Sequence, residues 1–148
     1  RAGLDLPVIR GLAEKCREDF IDSAAYGAAA GGHTDVLDLL ASEFGARIDV
    51  DCLGGAARRG HDAMIDHLVE EYGVDPNVAD YGDGSTALHW AAWYGRVRTV
   101  KHLVEKHNVK IHEREWRGKT ALDVAEEKGR TECAAYLRAL QSTRPPPS

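Results

Sequence analysis

The chain has 148 residues, 43% of them hydrophobic and 29% charged, with a formal net charge of −5. That is enough apolar content for one compact domain with a core, and too much for a disordered segment. Uninterrupted apolar runs, such as Ala28 to Ala30, are only a few residues, far below the roughly 20 that a membrane-spanning helix needs.

The opening residues RAGLDLPVIRGLAEK show neither a secretory signal pattern nor an initiator Met, which predicts a piece of a longer protein. Three cysteines, Cys16, Cys52 and Cys133, lie far apart, and their odd number leaves one unpaired in any intramolecular scheme. A reduced, intracellular location is the simpler expectation, cytoplasmic in the first instance and with the nucleus left open. Charge is uneven along the chain. Asp35 to Asp83 carries twelve acidic residues against three basic, whereas Trp93 to Lys119 carries eight basic against three acidic. Such asymmetry bears on partners rather than on fold.

In chain order, four stretches share one shape, a small-residue turn of helix, a Gly and a second apolar-periodic run. They are AYGAAAGGHTDVLDLL, LGGAARRGHDAMIDHL, LHWAAWYGRVRTVKHL and LDVAEEKGRTECAAYL. Aligned on Gly32, Gly60, Gly95 and Gly129 they recur at spacings of 28, 35 and 34 residues, the signature of a stacked repeat. The second run of each unit puts apolar residues at helical spacing, for example Val36, Leu37, Leu39 and Leu40, or Val97, Val100, Leu103 and Val104. Ala-rich turns such as Ala56-Ala57 and Ala91-Ala92 predict close approach of the first helices. Gly73 and Asn108 stand where a left-handed helix C-cap is expected.

This pattern resembles the ankyrin repeat, most strongly over Asp75 to Leu140. STALHWAAWYG and GKTALDVAEEKG are similar to the family's Thr-Pro-Leu-His opening with Ala for Pro, and GVDPNVAD and NVKIHERE are similar to its inter-repeat hairpin. Gly32-His33 and Gly60-His61 extend the match upstream. Val8-Ile9 and Leu12-Ala13 sit 28 residues before Val36-Leu37 and Leu40-Ala41, so residues 7 to 16 read as the second helix of a repeat whose first half is missing. The expected organisation is an all-α ankyrin-type solenoid over 1-140, with a partial repeat at 1-22, about four full units and short β-hairpin loops. A Pro-rich tail or linker at 141-148 follows. GARIDVDCLGG leaves no room for a complete hairpin between the first two units. Fingers are therefore expected only near Tyr81 to Gly84 and Glu115 to Gly118, with the first joint less rigid.

Seven histidines raise the question of a metal or a catalytic base. His102, His107 and His112 are five apart, which does not place them on one helical face, and no cysteine lies near them at zinc-site spacing. No nucleophile sits in a recognisable frame, and GDGST at Gly82 to Thr86 lacks the lysine of a phosphate-binding loop. Neither catalysis, a metal nor a cofactor is expected. The resemblance implies that His89 hydrogen-bonds Thr86 and fastens neighbouring repeats. It further implies a concave binding surface lined by Trp93 and Tyr94, whose counterparts Ala30-Gly31, Arg58-Arg59 and Glu127-Lys128 show no apolar preference. Trp90 is expected to pack between first helices. The expected function is non-catalytic binding of another protein, centred on Trp93, Tyr94, Trp116 and Arg117 and flanked by Tyr81, Asp83, Arg58, Arg59, Arg96 and Lys119. An acidic or extended segment would suit it best. Other readings of the same residues are a spacer or self-associating module, nucleic-acid binding, a Trp90-Trp93-Trp116 cage for methylated lysine, and a Trp93 that merely folds over Trp116.

Overall fold

A computed structural model describes residues 6–146. Eight helices run through them in chain order: α1 (Leu6–Ala30), α2 (Thr34–Phe44), α3 (Val50–Arg59), α4 (Asp62–Tyr72), α5 (Ala87–Trp93), α6 (Val97–Glu105), α7 (Ala121–Glu127) and α8 (Thr131–Gln141). The first helices of the units pack in series, α1 on α3, α3 on α5 and α5 on α7, and each second helix packs on the first helix of its own unit. This is the two-layer solenoid that the repeat predicts.

Small side chains make the inner layer possible. Ala25, Ala29, Ala56, Ala57, Ala91, Ala92 and Ala125 are fully buried, and their short side chains let four helices stack closely. The outer layer contributes bulk, with Leu37, Ile65, Leu68, Val100, Leu103 and Leu137 inserted toward the inner helices. The turn between the two helices of each unit is the same four times. Gly32, Gly60, Gly95 and Gly129 have φ between 69 and 76°, and the following N–H reaches back to Ala28, Ala56, Ala91 and Ala125 carbonyls at 2.8–3.0 Å. A left-handed residue is required there, which is why the glycine recurs. Gly73 and Asn108 likewise have positive φ, 66° and 48°, as expected after α4 and α6.

Two expectations need correction. The predicted break between a second helix at 7 to 16 and the next unit is absent: α1 continues unbroken from Leu6 to Ala30. Between Gly11 and Gly27 the sequence offers neither Gly nor Pro to stop a helix. The Val8-Ile9 and Leu12-Ala13 side chains, together with residues 1–5 and 147–148, lie outside the described residues. The hairpin loops do turn back on themselves, but Asp80 N–H to Ser85 O (2.9 Å) and Glu115 N–H to Lys119 O (3.0 Å) close them, and no strand forms among the described residues. Between α2 and α3 only residues 45–49 intervene, so the first joint has no finger.

Candidate functional site

The two fingers are built by buried or half-buried carboxylates. Asp80 Oδ1 accepts the N–H groups of Gly82, Asp83 and Gly84 at 3.1–3.2 Å, and its Oδ2 accepts the Trp90 indole N–H at 2.8 Å. Burial alone would raise the Asp80 carboxyl, but these donors outweigh it and hold it below the ordinary carboxylate range. Glu115, 4% exposed, plays the same part in the second finger, accepting the Lys119 N–H (3.0 Å) and Arg117 Nε–H (2.9 Å). The fingers are tied to each other by Trp116 N–H donating to Asp83 O at 3.0 Å.

His89 fastens the second finger to α5. Its Nδ1 accepts the Thr86 N–H (3.1 Å) and lies 2.9 Å from Thr86 Oγ1, so the ring proton is on Nε2, which donates to Lys119 O at 2.9 Å. Burial pushes the imidazole pKa down, as a neutral ring with one acceptor and one donor nitrogen requires. In α7 the same position is Asp123, which forms a reciprocal capping box with Thr120.

Across the first helices runs a ribbon of alternating rings and cations. Arg58 donates to the hydroxyls of Tyr26 (3.2 Å) and Tyr94 (3.0 Å), and its guanidinium lies over Tyr94 at 5.0 Å and Trp90 at 5.9 Å. Tyr94 stacks on Trp90, and Trp93 lies 6.1 Å from Trp90. Beyond Trp93 come Lys128, 4.0 Å from its ring centre, and Arg117 at 5.7 Å. Each such contact contributes about 0.5–1 kcal/mol at an exposed site, so the ribbon is held in one geometry before any partner arrives.

The expected site residues therefore divide. Trp93, Tyr94, Arg58 and Arg117 belong to the ribbon. Tyr81 (77% exposed) and Trp116 (70% exposed) stand at adjacent fingertips, Trp116 lying against Gly84 of the preceding finger. Asp83 builds that finger, and Arg96 donates from Nε to Arg58 O at 3.1 Å; Arg59 is exposed. The cations are largely engaged within the fold: Arg117 and Lys119 both pair with Glu127, and Arg117 also with Glu115. Trp93 is covered by Lys128 and Arg117 rather than by Trp116, so Trp90, Trp93 and Trp116 do not close on one cage. Trp90 packs where expected, against the first helix of the previous unit, because Gly54 leaves room for its ring.

Tyr26 was missed by sequence reading, and so was a cavity of about 360 Å³ between Tyr26, Gly54, Gly55, Asp51, Asp80 and Trp90. Gly54-Gly55 was the available signal: paired glycines inside a helix mark a close approach. Cys52 lines this cavity, and burial pushes its thiol up to about 11, which makes it a poor nucleophile. On the opposite, outer layer the structure joins His102 and His107, both on Asp66. His112 lies elsewhere and donates to Arg144 O.

Residues 53–143 match a family model of ankyrin repeats in three copies. The chain belongs to the ankyrin-repeat family. The match begins inside α3, so α1 and α2 of this ankyrin domain fall outside it, where the continuous first helix and the missing finger depart most from the repeat. No curated protein shows a significant match to the chain. Ankyrin repeats are in general protein-interaction modules and are characteristically non-catalytic, and among the described residues no helix is long and apolar enough to cross a membrane.

Proposed function

We propose that this ankyrin domain binds an extended segment of another protein along its concave face, without catalysis, with the ring-cation ribbon as floor and the two fingertips as rim. The observation that carries the reading is the pair of large rings, Tyr81 and Trp116, left exposed on adjacent, mutually bonded fingers. The core does not need them, and rigidly held aromatic residues are the type that anchors interfaces. Because Arg58, Arg117 and Lys119 already have partners inside the fold, an extended segment offering apolar side chains and backbone hydrogen bonds suits the face better than a strongly acidic one.

Affinity capture followed by mass spectrometry tests this with three proteins: the native domain, a Tyr81→Ser/Trp116→Ser variant, and an Arg98→Ser control on α6. A partner retained by native and control and lost by the fingertip variant is expected, since truncating one anchor costs about 2 kcal/mol or more. Identical capture by all three, with circular dichroism showing the variant folded, would refute the reading.

A further inference from the structure

On the outer layer the first two joints are each clasped by a carboxylate from one unit and two side chains from the next, whereas at the third the acid's place is taken by Lys101 and Tyr136 bonds Glu105 instead. At the first joint, Asp38 Oδ1 accepts from His67 Nε2 (2.6 Å) and Tyr72 OH (2.5 Å). At the second, 28 residues on for the acid and 35 for its partners, Asp66 Oδ1 receives His102 Nε2 (2.6 Å) and His107 Nε2 (2.7 Å). His107 thus stands where the first joint has a phenol. The fold is satisfied by one imidazole and one hydroxyl, so packing does not require the second imidazole.

We propose that Asp66, His102 and His107 form a binding site for a divalent transition-metal ion, Zn²⁺ first among them, on the outer face of the solenoid. The three ligand atoms lie within 4.8 Å of one another, and two imidazoles with one carboxylate are a donor set suited to Zn²⁺. Metal bonds of about 2.0–2.2 Å require the two N···O separations to open by less than about 1 Å. Each neutral ring then carries its proton on Nδ1 instead of Nε2, exchanged through water with no net release, so that two N–H···O hydrogen bonds give way to two N–metal bonds and one O–metal bond.

Oδ1 is left free of charged partners. Lys106 holds the other oxygen, Oδ2, at 2.8 Å, and Glu70 sits on the far side of Lys106 at 3.2 Å. With neutral imidazoles the cluster carries one net negative charge. The His107 side chain is 7% exposed and that of His102 23%, which leaves one side open for a fourth ligand from water or from a bound partner.

The test is a Zn²⁺ titration of the chelator-treated chain, read by long-range ¹⁵N–¹H correlation of the histidine rings. One equivalent should move the Nε2 signals of His102 and His107 while leaving His112 in place, Co²⁺ should give a visible absorption band, and Mg²⁺ should do neither. His107→Tyr copies the first joint and should keep the helical circular dichroism of the parent while weakening Zn²⁺ binding at least about tenfold; Asp66→Asn should weaken it similarly. The proposal falls if millimolar Zn²⁺ moves neither ring, if other histidines respond instead, or if folded His107→Tyr binds as the parent does. Should that variant misfold, the ring signals of the native chain decide.

Discussion

At the joint between α5 and α7, His89 lies 2% exposed and bonds Thr86 on one side and the Lys119 carbonyl on the other. At the joint between α3 and α5 the position equivalent to His89 is Gly54, with Gly55 beside it, so no side chain at that position can reach a finger, and the hydrogen bonds across the joint lie at its far end, from Arg58 to the Tyr94 hydroxyl and from Arg96 to Arg58 O. Instead Trp90 leans onto Gly54 from one neighbour and Tyr26 onto Gly55 from the other. The helix start shifts as well: α5 begins after Thr86, whereas α3 begins two aligned positions earlier, after Asp49, whose side chain accepts from Asp51 N–H. At the position of His89 one joint is held by directed hydrogen bonds to a finger and the other by rings filling space over bare backbone. A solenoid needs only that each interface be buried and satisfied, so the two chemistries are interchangeable for folding and differ in what disturbs them.

The largest expected effect follows from the polar joint. His89→Leu leaves the Thr86 N–H without a partner in a buried setting, at about 1–3 kcal/mol, and takes from the Lys119 carbonyl its bond across the joint while the Glu115 N–H still reaches it at 3.0 Å. A loss of about 2 kcal/mol in urea unfolding is expected, with faster amide exchange concentrated over 85–119. The same residue sets an acid limit. Its pKa is lowered in the folded state by burial, so the stability it contributes is fully present above the unfolded value of about 6.5 and is lost as pH falls from there through the folded pKa. The native chain should therefore weaken between neutral pH and the acid range, and His89→Leu, weaker throughout, should lack that part of the slope. A uniform loss at every pH would place the neutral ring elsewhere.

The ring-filled joint predicts opposite signs for one kind of change at two glycines. A methyl group at Gly55 would meet Tyr26 Cε2 at 2.9 Å and Ala30 Cβ at 3.3 Å, whereas at Gly27, inside α1, nothing lies within 4 Å. Gly27→Ala should gain about 0.5–1 kcal/mol from helix propensity. Gly55→Ala gains the same propensity but must displace a ring, for about 1–3 kcal/mol, so a net loss of about 1 kcal/mol is expected in the same unfolding measurement. Equal stabilisation by both would mean that Tyr26 does not rest on α3.

The contrast between these joints also explains what could be read in the sequence. Spacing located the four units and their helices because the turn glycines are a backbone requirement that only a few residue types meet. The Thr86-His89 pair was legible for the same reason, as a local device three residues long. Tyr26 and the second-joint histidines were not, since they act across 32 to 41 residues and their meaning depends on which layer each helix occupies. His102 and His107 are five apart, a spacing that does not share one helical face, yet they meet because α6 ends at Glu105 and the chain turns His107 back toward Asp66. The unbroken α1 was missed because a periodic match at 7 to 16 says which residues are helical, but not whether the helix stops after them.

An effect as small as those at the glycines separates the two outer clasps. Tyr72→Phe removes one hydroxyl from Asp38 and keeps the ring edge that meets His67 at 5.6 Å between centroids, so a loss of about 1 kcal/mol is expected at neutral pH. Its pH dependence is more telling than its size. Burial and the Asp38 carboxylate push the Tyr72 hydroxyl up to about 12, so the stability it contributes is present below the unfolded value of about 10 and is lost as pH rises from 10 through 12. The gap between native and Tyr72→Phe chains should therefore hold steady to about pH 10 and close above it. At the second joint His107 replaces this phenol, so no such closure is expected there, and a Tyr72→His exchange should remove the alkaline dependence while leaving the clasp to Asp38 in place.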